Sequence, residues 1–305
     1  MDFGSGPLQG RIAFDHPYLY RDGTYGYSVF VVNADGGTAR NVMPGSRGGG
    51  SRWSPDGRRL AFLRLGGVWI VNGDGSGEQL LARVRYPAFP IWSPNGRRIA
   101  FQVGDRTGEK TRLAVVNTNG TGFRILATAD ASASWPNGQP SWSPDGDWIA
   151  FRRGGAIRVV RPDGSDQRLV SRCTGRACLD PRWSPDGRWL LFTGNEGIVI
   201  VEHPTTANRK ERVLIRNATD QSWSPNGGAI VFVRETIQIM NADGSNRRPL
   251  TKGIHPVWSP DGKALAFLRY GGPNNNYAIY TIQIDGTSER RLTPDASVGF
   301  PDWGR

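Results

Sequence analysis

A ten-residue phrase recurs six times along the chain, and it restricts the possible folds more than any other feature. WSPDGRRLAF starts at Trp53, WSPNGRRIAF at Trp92, WSPDGDWIAF at Trp142, WSPDGRWLLF at Trp183, WSPNGGAIVF at Trp223 and WSPDGKALAF at Trp258. Successive tryptophans lie 39, 50, 41, 40 and 35 residues apart, which is the period of a four-stranded propeller blade. After each LAF-type triplet come a variable loop, a β-branched segment, a turn of Asp-Gly or Asn-Gly type and a further short strand. VWIVNGDG at 68–75, LAVVNTNG at 113–120 and TIQIMNADG at 236–244 are examples. The alternation is that of strands, and no long amphipathic helix is present.

The two ends complete the count. GRIAF at 10–14 is a second-strand segment with no repeat phrase before it, and FPDWGR at 300–305 matches FPIWSP at 89–94. The C-terminal residues are therefore expected to supply the innermost strand of a blade begun at the N-terminus. This predicts an all-β fold, a single seven-bladed β-propeller of four-stranded blades over residues 1–305. Blade 1 combines 299–305 with 11–43, and blades 2 to 7 are 49–82, 88–127, 138–171, 179–216, 219–251 and 254–293. Sharing one blade between the termini closes the ring and removes open sheet edges. The repeated residues read as scaffold. Tryptophan fills the space between sheets, proline presets φ in the turn, and glycine takes positive φ.

WSPDGxxIAF resembles the signature of the WD40-like repeats termed PD40, which build the propellers of the TolB-like family. The resemblance spans nearly the whole chain and implies a propeller. It implies less about activity, because propellers host many unrelated functions. No G-x-S-x-G nucleophile elbow occurs, so the sequence carries no sign of a propeller-gated hydrolase.

Charge points towards an anionic partner. The formal net charge is +11, and all but four of the 38 basic residues are arginines. Guanidinium binds carboxylate and phosphate bidentately, although an arginine-favouring codon composition gives the same bias. No block of five or six like charges occurs, so nucleic acid is not indicated. No run approaches the roughly 20 apolar residues of a membrane span. Cys173 and Cys178, in CTGRAC, suit a local disulfide closing a tight loop, with two free thiols as the alternative. A disulfide implies an oxidising compartment, hence a periplasmic or secreted protein, although no signal peptide is visible at the N-terminus.

Candidate ligand-binding residues come from the loops at one channel mouth, where variable loops sit on rigid sheets. Two residues past each triplet's phenylalanine stand His16, Arg64, Val103, Arg153, Gly194, Arg234 and Arg269. The four arginines could form a cationic rim or pair with local carboxylates. The loops of blades 1 and 7 are long and add Tyr18, Tyr20, Tyr25, Tyr270, Tyr277 and the Asn274–Asn276 run, a composition suited to sugar stacking or protein contact. His255 precedes the seventh innermost strand and should share this mouth with His16, whereas His203 should lie on the opposite face. Two histidines are too few for a three-histidine metal site, and the Asp/Asn-Gly turns lack the pattern of a calcium loop. No cofactor and no metal is expected. The reading is a monomeric binding module for a protein or glycan ligand, acidic in character, at the mouth near blades 7 and 1. The ligand-binding set is His16, Tyr18, Tyr20, Arg64, Arg153, Arg234, His255, Arg269 and Tyr270. The alternative is a lyase acting on an acidic, uronate-type polysaccharide through His16, His255, Tyr270 and Arg269. Oligogalacturonate lyases, which use related seven-bladed propellers, make that alternative concrete.

Overall fold

Each repeat phrase folds into the same hairpin. The tryptophan ends an innermost strand and pairs with the first or second residue of the second strand: Trp53 with Leu60, Trp92 with Ile99, Trp142 with Ile149, Trp183 with Leu190. Glycine at the turn takes positive φ, +67° at Gly57 and +77° at Gly146, which a Cβ would strain. The serine between tryptophan and proline holds the turn together. Ser54 Oγ donates to Asp56 Oδ1 at 2.6 Å and accepts the Arg59 N–H at 2.9 Å. Ser93, Ser184 and Ser224 repeat both bonds with their own Asn or Asp and strand residue. These serines are buried, so each hydroxyl needs its two partners.

The computed structural model describes residues 8–19, 25–43, 50–64, 66–105, 110–130, 138–173, 178–270, 276–294 and 298–305, with backbone only at 17–19, 25–26 and 129–130. They form seven four-stranded antiparallel sheets and no helix. Six sheets run in sequence order from innermost to outer strand. The seventh joins the ends of the chain: Asp302–Gly304 pairs antiparallel with Arg11–Ala13, placing Ile12 opposite Trp303. The molecule is a seven-bladed β-propeller closed by its two termini.

The core is divided into seven clusters, each lying between neighbouring blades. Ala13, Val29 and Val31 of blade 1 pack with Trp53, Leu60 and Phe62 of blade 2. The series continues around the ring to Ala264, Ala266 and Ile279 of blade 7 against Ile12, Phe14 and Trp303 of blade 1. Each repeat tryptophan thus covers the blade before its own. Several also reach back with the indole N–H: Trp92 Nε1 donates to the Arg52 carbonyl at 3.0 Å, Trp223 to Arg182 at 3.2 Å and Trp258 to Ser222 at 3.3 Å. An apolar body with one polar tip is the reason tryptophan recurs here rather than leucine.

Candidate functional site

The innermost strands carry an irregularity that shapes the channel mouth. In blades 3, 5, 6 and 7 their pairing with the second strand slips between Ala88 and Ile91, Leu179 and Arg182, Thr219 and Ser222, and Ile254 and Val257. Inside each slip, three residues before the tryptophan, stands a residue of positive φ: Phe89 (52°), Asp180 (50°), Asp220 (54°) and His255 (51°). Bulges of this kind re-aim side chains next to functional sites. Left-handed backbone on four non-glycine residues at one structural position is strain that the surrounding sheets must hold. The slips bring Asp180, Asp220, His255 and Phe89 to the wall of the central channel, a cavity of about 660 Å³.

His255 and Asp220 form a pair there. Nδ1 of His255 lies 3.2 Å from Oδ2 of Asp220, which also accepts the His255 backbone N–H at 3.2 Å. Burial works to raise the Asp220 carboxyl, but the hydrogen bond and charge of His255, with Arg182 beyond, outweigh it and hold it below its ordinary value. The imidazole meets the Phe300 ring edge-on, with centroids 4.5 Å apart. An imidazole whose Nδ1 is held by a carboxylate keeps Nε2 for a ligand or a proton.

Two arginines project into the same channel from the residue just before a repeat tryptophan. Arg52 comes from blade 2 and Arg182 from blade 5, three blades away around the ring. Arg182 donates to Gln139 Oε1 at 2.9 Å and to the Pro181 carbonyl at 3.4 Å, and Arg52 donates to the Ser51 carbonyl at 2.8 Å. Among the described residues neither guanidinium has a carboxylate within ion-pair distance. Burial pulls Arg182 down from its ordinary value, Asp180 and Asp220 oppose this, and the charge of Arg52 reinforces it. The nearby carboxylates are committed elsewhere. Asp180 Oδ1 accepts the Gln139 N–H at 2.9 Å and Asp302 Oδ2 the Trp53 N–H at 2.6 Å. Burial raises Asp302 and Asp15 above the usual carboxylate value against the pull of Arg52. Each guanidinium offers five N–H donors, more than the bonds described for either.

Of the residues singled out in the sequence, His255 lines this channel and His16 does not. His16 lies on the flank of blade 1 with its ring 5.3 Å from Phe30. The arginines two past the triplets are engaged on their own blades. Arg64 pairs with Glu78 and lies 3.9 Å over the Trp69 ring. Arg153 donates to Gln167 at 2.8 Å, and Arg269 grips both oxygens of Glu289 at 2.6 and 2.7 Å. Arg234 is half-buried at the end of its strand, and its carbonyl accepts from Gln238 at 3.0 Å. Tyr270 is 54% exposed beside Tyr277. Tyr20 lies outside the described residues, and of Tyr18 and Tyr25 only the backbone is described. The described part of the molecule thus brings His255 together with Asp220, Arg182 and Phe300. The sequence reading missed Arg52, Arg182 and Asp220. The signal lay in the repeat itself, where the residue preceding tryptophan varies as Arg52, Ile91, Ser141, Arg182, Ser222, Val257 and Asp302.

The Asp-Gly turns of the outer hairpins are occupied by their own hydrogen bonds. Asp74 accepts from Ser76, Asp163 from Ser165 and Asp243 from Ser245, and these bonds hold the three carboxyls below their ordinary values. Among the described residues no group of three or more His, Cys, Asp or Glu is placed to hold a metal, and no helix is long and apolar enough to cross a membrane. Cys173 and Cys178 form a disulfide.

No protein-family model matches the sequence, and no curated protein matches it. Solved structures share the fold. TolB from Acinetobacter baumannii superposes with a TM-score of 0.62 at 16% identity, covering 97% of this chain and 83% of that one. An oligogalacturonate lyase from Vibrio parahaemolyticus gives 0.67 at 16%, covering 88% and 90%. The β-propeller domain of the Trilobed protease from Pyrococcus furiosus gives 0.68 at 14%, covering 95% and 94%. At such identities the likeness is one of architecture, that of TolB-like and other propellers.

Proposed function

We propose that this propeller is an extracytoplasmic binding module that holds an acidic group, presented by a protein or glycan, in its central channel. The observation that carries the reading is the pair of inward arginines, Arg52 and Arg182, whose described hydrogen-bond acceptors are all neutral. Two guanidiniums across one cavity repel each other and have unused donors. An anion between them relieves both conditions, and planar bidentate recognition of carboxylate or phosphate is what guanidinium does best. The bulged innermost strands fix the rest of the wall, so the site is organised before the ligand arrives. The Cys173–Cys178 disulfide supports an oxidising location. The rim set of Tyr18, Tyr20, Arg64, Arg153, Arg234, Arg269 and Tyr270 belongs to this proposal as an outer contact surface, with His16 on the blade 1 flank. The test is calorimetric titration with polyglutamate and polyuronate at two salt concentrations. Binding that falls about tenfold in Arg52→Gln and in Arg182→Gln, with a shallower salt dependence, supports the reading; wild-type affinity in both variants contradicts it.

The His255–Asp220 pair favours a second reading, a lyase acting on an acidic glycan. Proton abstraction beside a carboxylate needs a base and a cation to neutralise the acid group, and His255 with Arg182 offers both chemistries in one cavity. The oligogalacturonate lyase among the similar structures has the same architecture. Incubation with polyuronates, followed by ultraviolet absorbance of new unsaturated ends, separates the two readings. A rise that His255→Ala abolishes makes the protein a lyase, and a flat trace leaves the binding module.

A further inference from the structure

The channel has a side chamber. A second cavity of about 680 Å³ opens beside it towards blades 1, 2 and 3, and Arg52, Phe89 and Phe300 belong to the walls of both. The chamber is otherwise bounded by Tyr27, Tyr86 and Leu63. Tyr27 is 48% exposed, Tyr86 47% and Phe300 43%. Three large rings half in water thus surround one hollow, whereas the other exposed aromatics of the described residues, Phe123 and Tyr270, lie outside both cavities. Two further arginines line the chamber: Arg64, already neutralised by Glu78, and the exposed Arg85. Cations in the walls disfavour a cationic guest and suit an anionic one.

The inner wall of the chamber is held in place by Asp15, which is 4% exposed and whose Oδ2 accepts the Gly50 N–H at 2.6 Å.

The geometry points to a ring-bearing carboxylate as the group this protein recognises: the acid lies against Arg52 and Arg182, and a flat apolar ring enters the side chamber between Tyr27, Tyr86 and Phe300. The inference rests on the channel reading above and adds what is joined to the acid. Arg52 is the pivot, because it is the one charged residue shared by the walls of channel and chamber. Flat rings match aromatic walls by offset or edge-on stacking.

The experiment is a calorimetric comparison of three probes on the intact protein. Sulfate supplies the charge without a ring, 2-naphthalenemethanol the ring without a charge, and 2-naphthoate both. Removing roughly 60 Å² of ring surface from water corresponds to about tenfold in affinity, so 2-naphthoate should bind at least about tenfold more tightly than either partial probe. Tyr27→Ser with Tyr86→Ser, at half-exposed positions, should bring 2-naphthoate down to the sulfate level and leave sulfate unchanged. Arg182→Gln should weaken sulfate and 2-naphthoate alike. If sulfate binds but 2-naphthoate gains nothing over it, or keeps its advantage in the tyrosine double variant, the side-chamber inference is overturned and the channel reading stands. If no anion binds, both fall.

Discussion

The Asp302 carboxylate accepts the backbone N–H of Trp53 at 2.6 Å. Asp302 stands three residues before the C-terminal Arg305 in the innermost strand of blade 1, and Trp53 ends the innermost strand of blade 2. The last strand is therefore joined on two sides, by ladder pairing to Arg11–Ala13 within its own blade and by this bond to the next. Arg11 adds a third tie, donating to the Gly57 carbonyl at 2.8 Å and lying over the Trp53 ring at 4.6 Å. Ring closure rests on a strand of three residues, and its side chains must compensate for the short ladder.

Trp303→Ala tests this closure. Trp303 is 8% exposed, fills the cluster between blades 7 and 1, and donates to the Gln9 carbonyl at 3.0 Å. Its loss should cost about 3–5 kcal/mol, as for other large aromatics cut back to alanine in a core. Urea unfolding gives the value, and a cost below about 1 kcal/mol would mean that the terminal strand contributes little to holding the ring.

Acidity should reveal the two buried carboxyls of the closing blade. Burial raises Asp15 and Asp302 above 3.8, their ordinary value, so the folded protein holds these protons longer than the unfolded chain does. Their contribution to stability is present in full below that value and is lost as pH rises through the raised folded-state values. Asp220 acts in the opposite sense. Held low, it stabilises above its ordinary value and loses this as pH falls through the lowered one. The double variant Asp15→Asn with Asp302→Asn should lose the fall in urea midpoint above the ordinary aspartate value. An identical pH profile in wild type and variant would refute the assignment.

The disulfide should contribute modestly. Cys173 and Cys178 are five residues apart, and closing so small a loop is worth about 2 kcal/mol on the chain-entropy model. Cys173→Ser with Cys178→Ser should lower stability by about that amount and leave the propeller folded, because Trp183, Phe192 and Ile157 fill the adjacent cluster. Thiol titration of the denatured, unreduced wild type should find none; two reactive thiols would show that the bond does not form.

The architecture was readable because it is repeated. One tryptophan, one Ser-Pro-Asp/Asn-Gly turn and one LAF triplet per blade impose the same hairpin each time, and the incomplete phrases at the two ends are explained only by sharing a blade. The serine hydroxyl that bridges each turn was in view in every copy, yet its role depends on burial, which a sequence does not print. The channel site was harder to see for a physical reason. Arg52 and Arg182 converge from blades three apart, and Asp220 meets His255 because a bulge turns both inward. Such residues share no local pattern; they appear only as departures from the repeat at inward-facing positions. The rim arginines were visible at four of seven equivalent positions, but the acids that neutralise Arg64 and Arg269 come from a neighbouring loop of the same blade, Glu78 and Glu289, which the equivalence of positions does not reveal.

The most direct test of the channel reading is to locate an anion. Crystals of the protein soaked in selenate, a tetrahedral oxyanion with a strong anomalous signal, should give a difference peak in the central channel within hydrogen-bond distance of both Arg52 and Arg182, and the peak should vanish in Arg182→Gln. Selenate found only at exposed surface arginines, with the channel free of it, would contradict the account.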